Sequence, residues 1–147
     1  MIRVIVQTEV NTPMLRVQQQ FNEALLKKLN PPFPVARLRK YEGELPGAAV
    51  WIELDFVLFK QLWKSRIVAR TESETFLSFT DAGEQLPFFL RAWEHEHRLE
   101  ALPGGRTRIT DRLSFTTPWW LPAWLARPVF KGLMTYRQPI YKRVFGR

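Results

Sequence analysis

Cysteine is absent from this chain of 147 residues, so disulfide bonds and thiolate metal sites are excluded. An absence of cysteine is compatible with a reducing compartment. No run approaches the roughly 18 consecutive apolar residues that a membrane-spanning helix needs. The opening run, residues 1–7, is too short and turns polar too soon to be a signal peptide. We therefore expect a soluble protein of the cytoplasm.

Acidic residues are absent after Asp111, although seven basic residues follow it: Arg112, Arg127, Lys131, Arg137, Lys142, Arg143 and Arg147. Most of the formal net charge of +8 therefore lies in this C-terminal segment, which also holds three of the six tryptophans. A basic, aromatic segment is typical of contact with nucleic acid or anionic lipid, but a solvated helix face gives the same pattern. We expect the basic residues Lys131, Lys142, Arg143 and Arg147 to be exposed and the apolar residues Phe130, Leu133, Met134 and Tyr141 to be buried.

The composition favours one folded domain that spans residues 1–147. Apolar residues make up 46% of the chain, and 11 Phe, 6 Trp and 3 Tyr supply large side chains for a core. Disorder is disfavoured because this apolar area offsets the entropy lost on folding.

The first elements are a strand and a helix. Apolar and polar residues alternate over 2–9, which predicts a strand. Thr12 is a good N-cap and Pro13 suits the first helical position. Apolar residues then recur every three or four positions, which predicts one amphipathic helix ended by 30–32: Met14, Val17, Phe21, Leu25 and Leu29.

The middle of the chain, from Val35 to Thr117, has a period of two. Alternating runs cover 50–59, 62–71, 75–81, 86–102 and 106–117, with turn signals at 44–47, 72–74, 81–83 and 103–105. This pattern predicts an antiparallel meander of five or six strands. Together with the flanking helices it indicates an α+β fold, with helices on one face of a single sheet.

The last segment, 119–145, has helical spacing, and we expect its helix to begin between 119 and 129. One stripe carries Phe130, Leu133, Met134, Arg137, Tyr141 and Val144. Pro122 and Pro128 predict that the chain enters this helix in separate, broken steps, and Pro139 predicts a kink within it. Arg137 lies on the apolar stripe, so it forms an inward ion pair, contacts an anionic ligand or points outward to solvent.

The hairpin around 103–105 fixes a register. A three-residue loop pairs Leu102 with Arg106 and keeps both apolar faces together, whereas a two-residue turn separates them. His97 then faces Asp111 across the two strands, with Cβ atoms roughly 4.5–5.5 Å apart. We expect both side chains to point toward the last helix.

This pair is either an anchor or acid/base pair in a cavity, or a structural hydrogen bond that stiffens the sheet. We expect no metal, because His95 and His97 are the only histidines and no carboxylate cluster accompanies them.

The sequence contains Phe79-Thr80-Asp81, Pro87-Phe88, Trp93-Glu94-His95-Glu96-His97 and a run from Gly105 to Phe115 that includes Thr107 and Asp111, followed by Pro118. On these residues and on its first and last helices, nearly the whole chain resembles the START-like superfamily, also called SRPBCC, of the pollen-allergen and polyketide-cyclase type. This resemblance implies a helix-grip fold, in which a curved antiparallel sheet of about seven strands surrounds a long C-terminal helix. It also implies a hydrophobic ligand such as a lipid, sterol or polyketide-like molecule. We expect no cofactor.

Four functions compete. The leading hypothesis is a ligand cavity lined by Trp93, Ile109, Phe115, Phe130 and Met134, with His95, His97, Asp111 and Arg137 as its polar groups. A second is a cyclase, dehydratase or hydrolase that uses His97 and Asp111 as an acid/base pair, although no nucleophile or oxyanion device is visible. A third is contact with an anionic membrane surface through the basic, Trp-rich C-terminal segment. Nucleic-acid binding is least favoured, because the aromatic residues follow apolar patterns.

Overall fold

The computed structural model describes residues 1–146. The strands are β1 (Ile2–Val10), β2 (Val35–Tyr41), β3 (Ala49–Asp55), β4 (Lys60–Glu72), β5 (Phe76–Gln85), β6 (Ala92–Leu102) and β7 (Arg106–Thr116). The helices are α1 (Met14–Gln19) and α2 (Glu23–Leu29) near the N-terminus, and α3 (Ala123–Thr135) and α4 (Arg137–Phe145) at the end of the described chain. No helix in this part of the chain is long and apolar enough to cross a membrane.

All seven strands form one antiparallel sheet in the order β1-β7-β6-β5-β4-β3-β2. The sheet curls into a half-barrel against the long C-terminal helical segment, so the predicted α+β helix-grip fold is confirmed. Bulges in the β2–β3 and β4–β5 ladders interrupt the register. Bulges increase local twist, so they contribute to the curvature.

Two strand boundaries differ from the sequence prediction. The predicted turn at 81–83 is wrong, because β5 continues through it to Gln85 and pairs with both β4 and β6. The predicted strands over 50–59 and 86–102 are too long, because 56–59 form the β3–β4 turn and β6 begins only at Ala92.

The N-terminal helix is divided in two, although the five apolar residues of its stripe are all buried as predicted. Pro13, not Thr12, occupies the N-cap position of α1, and the Thr12 hydroxyl instead donates to the Phe145 carbonyl. Asn22 caps α2 by accepting a hydrogen bond from the Leu25 N–H at 3.1 Å. This side chain gives α2 its own N-terminus.

The C-terminal segment begins its helix at Ala123, within the predicted interval, and divides at Tyr136. Pro139 lies in the first turn of α4, where the missing N–H interrupts continuation from α3. The exposure prediction is confirmed for Lys131, Lys142 and Arg143, whereas Arg147 lies outside the described residues. Phe130, Met134 and Tyr141 are buried, and Leu133 is half-buried.

The core has two parts on the helix-covered face of the sheet. One part joins α1, α2 and α4 to the middle strands through residues such as Val17, Leu77 and Tyr141. The other joins α3 to β1, β6 and β7 through residues such as Leu113 and Phe130.

Candidate functional site

The β6–β7 register is the one predicted from alternation. Leu102 pairs with Arg106, and His97 lies opposite Asp111. Both side chains are buried, and Asp111 is only 2% exposed. The carboxylate reaches α4, which confirms its predicted direction.

The hydrogen bonds do not follow this register. The Asp111 carboxylate accepts from His95 Nε2 at 2.8 Å, whereas His97 Nδ1 lies 3.9 Å from it. His97 Nε2 instead donates to Asp81 Oδ2 at 3.0 Å. The expectation that His97 is the hydrogen-bond partner of Asp111 is therefore wrong, because the side chains lean along the strand and meet the diagonal neighbour.

Arg137 forms the inward ion pair, one of its three predicted placements. Its Nη1 atom lies 3.1 Å from Asp111 Oδ1, the oxygen that also accepts from His95. The Tyr141 hydroxyl, one turn further along α4, donates to the other carboxylate oxygen at 3.4 Å. Asp111 thus joins β6, β7 and α4 at one buried point.

Burial and charge act in opposite directions on these groups. Burial alone would raise the pKa of Asp111, but the Arg137 charge and the hydrogen bond from His95 hold that pKa well below its usual range. Burial, with the neighbouring His97, lowers the pKa of His95 to about 4. Burial and the Asp111 charge raise the pKa of Tyr141 above its ordinary range. At neutral pH the site therefore holds an ionised Asp111 beside a neutral His95.

Asp81 is a site residue that the sequence analysis missed. It lies on β5 directly opposite His95, and its Oδ1 atom accepts from the Trp93 indole N–H at 3.2 Å. Burial works to raise the pKa of Asp81, but hydrogen bonds from His97 and Trp93 lower it overall. The sequence does contain a signal for Asp81, because Leu77, Phe79 and Asp81 alternate along one face of a strand. The turn-like residues 81–83 predicted the end of that strand instead.

A cavity of about 190 Å³ lies between the sheet, α2 and the C-terminal helices. Six of the predicted residues line it: Trp93, His95, His97, Phe130, Met134 and Arg137. Ile109 and Phe115 do not, because both are fully packed in the core, and Asp111 lies behind His95 and Arg137. The lining also includes residues the sequence analysis did not select, among them Trp63, Asp81 and Phe89.

Asp81, His95 and His97 also place three potential ligand atoms within 4.8 Å of one another, which the sequence analysis did not foresee. The geometry does not favour a cation there. Both histidines already use Nε2 in a hydrogen bond to a carboxylate, and Asp81, the third member of the group, is itself the partner of His97. The Arg137 guanidinium shares the Asp111 oxygen with His95 and would repel a metal ion.

No protein-family model and no curated protein sequence matches the chain. Several solved structures do. The protein XoxI from Bacillus cereus is 17% identical, with a TM-score of 0.69 over 99% of this chain and 96% of that one. A START superfamily protein from Mycobacterium smegmatis is 11% identical, with a TM-score of 0.65 over 99% and 95%. The Zhui aromatase/cyclase from Streptomyces sp. R1128 is 18% identical, with a TM-score of 0.60 over 96% and 84%.

Proposed function

From the START-like helix-grip fold of this chain, we propose that it binds a hydrophobic small molecule, such as a lipid, sterol or polyketide-like compound, in the cavity between sheet and helices. The observation that carries the proposal is the cavity wall, which is mostly aromatic and aliphatic with a few polar groups. Such a combination is typical of ligand sites, because the apolar wall supplies affinity and the polar groups set orientation.

Two buried polar atoms at the cavity have no hydrogen-bond partner among residues 1–146: Trp63 Nε1 and His97 Nδ1. The indole N–H can only donate. His97 Nδ1 can accept, because the Nε2 atom of that ring already carries the proton donated to Asp81. Unpaired buried polar groups are costly, so a ligand that offers an acceptor to Trp63 and a donor to His97 would gain affinity. A hydroxyl group on a ring system provides both.

The charges favour a neutral ligand over a carboxylate. Arg137 is the cation in the cavity wall, and Asp111 already neutralises it. Asp81, unlike Asp111, lines the cavity and adds a carboxylate to its wall. A fatty-acid anion would therefore meet an uncompensated negative charge in a poorly hydrated space, which is unfavourable.

The size of the cavity points to a compact ligand. Its 190 Å³ slightly exceeds the roughly 150 Å³ of an engineered apolar cavity that holds benzene. A ligand of one or two rings fits this volume.

An enzymatic role is the second candidate, with His97 and Asp111 as its acid and base. The structure changes the assignment of pairs to His97–Asp81 and His95–Asp111. Each pair sets an imidazole beside a carboxylate, which is the chemistry of a general acid/base group for proton transfer to or from a bound ligand. The neighbour described as an aromatase/cyclase favours this candidate, but only at the level of the fold.

The third hypothesis, contact with an anionic membrane, concerns the outer surface and is compatible with a ligand in the cavity. The cytoplasmic location stays a prediction.

The test is native mass spectrometry of the protein purified from cells, followed by titration with Nile red, a neutral hydrophobic dye. We expect a co-purified mass and saturable dye binding that 2-naphthol displaces at least tenfold more strongly than 2-naphthoate, given the charges of the wall. Stronger displacement by 2-naphthoate would refute the neutral-ligand proposal. Neither co-purified ligand nor dye binding would refute the binding function itself.

A further inference from the structure

A continuous group of exposed apolar residues lies at one end of the sheet, outside the cavity. We call it the aromatic rim. It consists of Val57, Leu58 and Phe59 in the β3–β4 turn, Phe88 in the β5–β6 loop, and Trp119, Trp120 and Trp124 between β7 and the start of α3. Leu58 is 93%, Trp119 90% and Val57 82% exposed. So many large apolar side chains in water mark an interaction surface.

The three segments of the rim touch one another. Phe56 stacks on Phe59 with ring centroids 4.9 Å apart, and both rings lie within 5.8 Å of Phe88. Phe88 in turn stacks on Trp120 at 5.8 Å. The rim is therefore one surface and not a set of isolated residues.

The tip of the β3–β4 turn is held in a strained backbone conformation. Val57 has φ of +77°, a left-handed conformation that β-branched residues rarely adopt. Its N–H donates to Asp55 Oδ1 at 2.8 Å, and the Phe56 N–H donates to the Phe59 carbonyl at 2.9 Å. Glycine or asparagine would relieve the strain, yet valine and leucine stand there and contact nothing in the protein core. Strain that persists at an exposed apolar tip points to a role in contact with a partner.

The charges around the rim define that partner. Three basic residues that lie within three positions of a rim residue along the chain, Lys60, Arg91 and Arg127, are exposed and have no ion-pair partner within residues 1–146. Asp55, at the base of the β3–β4 turn, is already paired with Arg37. An apolar tip surrounded by tryptophan and uncompensated positive charge is complementary to an anionic lipid bilayer.

We propose that the aromatic rim docks on an anionic bilayer, with Val57 and Leu58 inserted among the lipid chains and Trp119, Trp120 and Trp124 at the level of the headgroups. This surface goes beyond the C-terminal segment inferred from the sequence, because the β3–β4 turn supplies its most exposed residue. Phe89 joins the rim to the cavity: it contacts Phe56 and Phe88 on one side and Trp63 on the other. A docked rim places this wall of the cavity next to the bilayer.

The test measures sedimentation of the protein with vesicles of phosphatidylcholine, with or without 30% phosphatidylglycerol. We expect binding only to the anionic vesicles, reduced about tenfold by Leu58→Ser and by Trp119→Ser, because each change removes apolar area that the bilayer would bury. Leu15→Ser is the matched control, since Leu15 is an exposed leucine on α1, beside the β6–β7 hairpin at the opposite end of the sheet. This variant should bind like the parent protein.

Three outcomes would overturn the proposal: no binding of the parent protein to anionic vesicles, equal binding by Leu58→Ser and the parent, or a dimer in analytical ultracentrifugation that Leu58→Ser dissociates. The last outcome would assign the rim to a second copy of the chain. Leu58→Ser should bind Nile red like the parent protein, because Leu58 does not line the cavity. This measurement separates a loss of membrane docking from a loss of ligand binding.

Discussion

Asp111 lies directly opposite His97 in the sheet, yet its short hydrogen bond comes from His95, two residues away along β6. The same relationship holds on the other side of β6, where Asp81 lies opposite His95 and accepts from His97. Both hydrogen bonds are therefore diagonal: His95 donates to Asp111 on β7, and His97 donates to Asp81 on β5. The two imidazole rings stack on each other. A change at any of these four side chains acts on β5 and β7 together.

Asp111→Asn should destabilise the protein strongly. The change leaves the Arg137 guanidinium buried without its counter-charge, and breaking one side of a buried ion pair costs about 3–5 kcal/mol of unfolding free energy. Urea unfolding followed by tryptophan fluorescence measures the loss. Asp55→Asn is the control, because its partner Arg37 is exposed and this change should have little effect. Equal losses in both variants would contradict the assignment of Asp111 as a buried ionic centre.

His97→Gln separates an anchoring role from a structural one. If the histidine orients a ligand, this variant should bind Nile red or a co-purified ligand more weakly while its fold stays largely intact. The fraction of Asp111→Asn that folds should likewise bind the ligand more weakly. Variants that fold poorly but still bind the parent's ligand would show that the pair is structural, and the acid/base hypothesis would then be withdrawn.

Stability should fall as the pH drops from about 6.5 to about 4. His95 has a pKa of about 4 in the folded protein against an ordinary value near 6.5, so the unfolded chain binds more protons in this interval. The His95 contribution is fully present above the interval and declines through it by up to about 3 kcal/mol. Below it, protonation of Asp111 causes further loss, because its folded pKa is also lowered.

The measurement is urea unfolding at half-unit steps from pH 4 to 7.5, on the parent and on His95→Gln. Glutamine can still donate to Asp111 but does not titrate. The variant should show a flatter profile between pH 4 and 6.5, and an unchanged slope would refute the assignment to His95.

Trp63→Phe should weaken ligand binding more than Trp51→Phe. Both tryptophans have buried indole N–H groups without an acceptor among residues 1–146, but only Trp63 lines the cavity. Trp51 instead lies beneath Lys40 and Lys64 on the other face. If a ligand oxygen accepts from Trp63, loss of that hydrogen bond should reduce affinity about tenfold. Isothermal titration with the co-purified ligand measures it, and equal affinities in the two variants would exclude this contact.

Asn22→Ala should cost about 1 kcal/mol of stability, because it removes the side chain that caps α2. Thermal unfolding measures this loss, and Nile red affinity should change little. A variant as stable as the parent would show that the Asn22 side chain caps no helix, as expected for the single helix that the spacing predicts.

The alternation of apolar residues was sufficient to predict the His97–Asp111 register, since a shift of one residue would have exposed Leu99 and Ile109. It could not predict the diagonal hydrogen bonds, which depend on side-chain rotamers and on Asp81 in a third strand. Asn22 is a typical helix N-cap residue, so the sequence contains a signal for the break between α1 and α2. The apolar stripe continues past Asn22 without interruption and predicts one helix instead. The cavity lining was predicted only in part, because Trp63 and Phe89 reach it through curvature that period-two patterns do not encode.

The pairing of β1 with β7 has a consequence for the order of folding. Ile2 pairs with Phe115, and the Asn11 N–H donates to the Gly146 carbonyl, so the first strand is completed by residues that are synthesised long after it. Until then β1 has no neighbour in the sheet, and its apolar residues Ile2, Val4 and Val6 remain unprotected. Such distant contacts slow folding and prolong the exposure of an unpaired strand. In the nascent chain, β1 therefore stays unpaired at least until β7 has been synthesised.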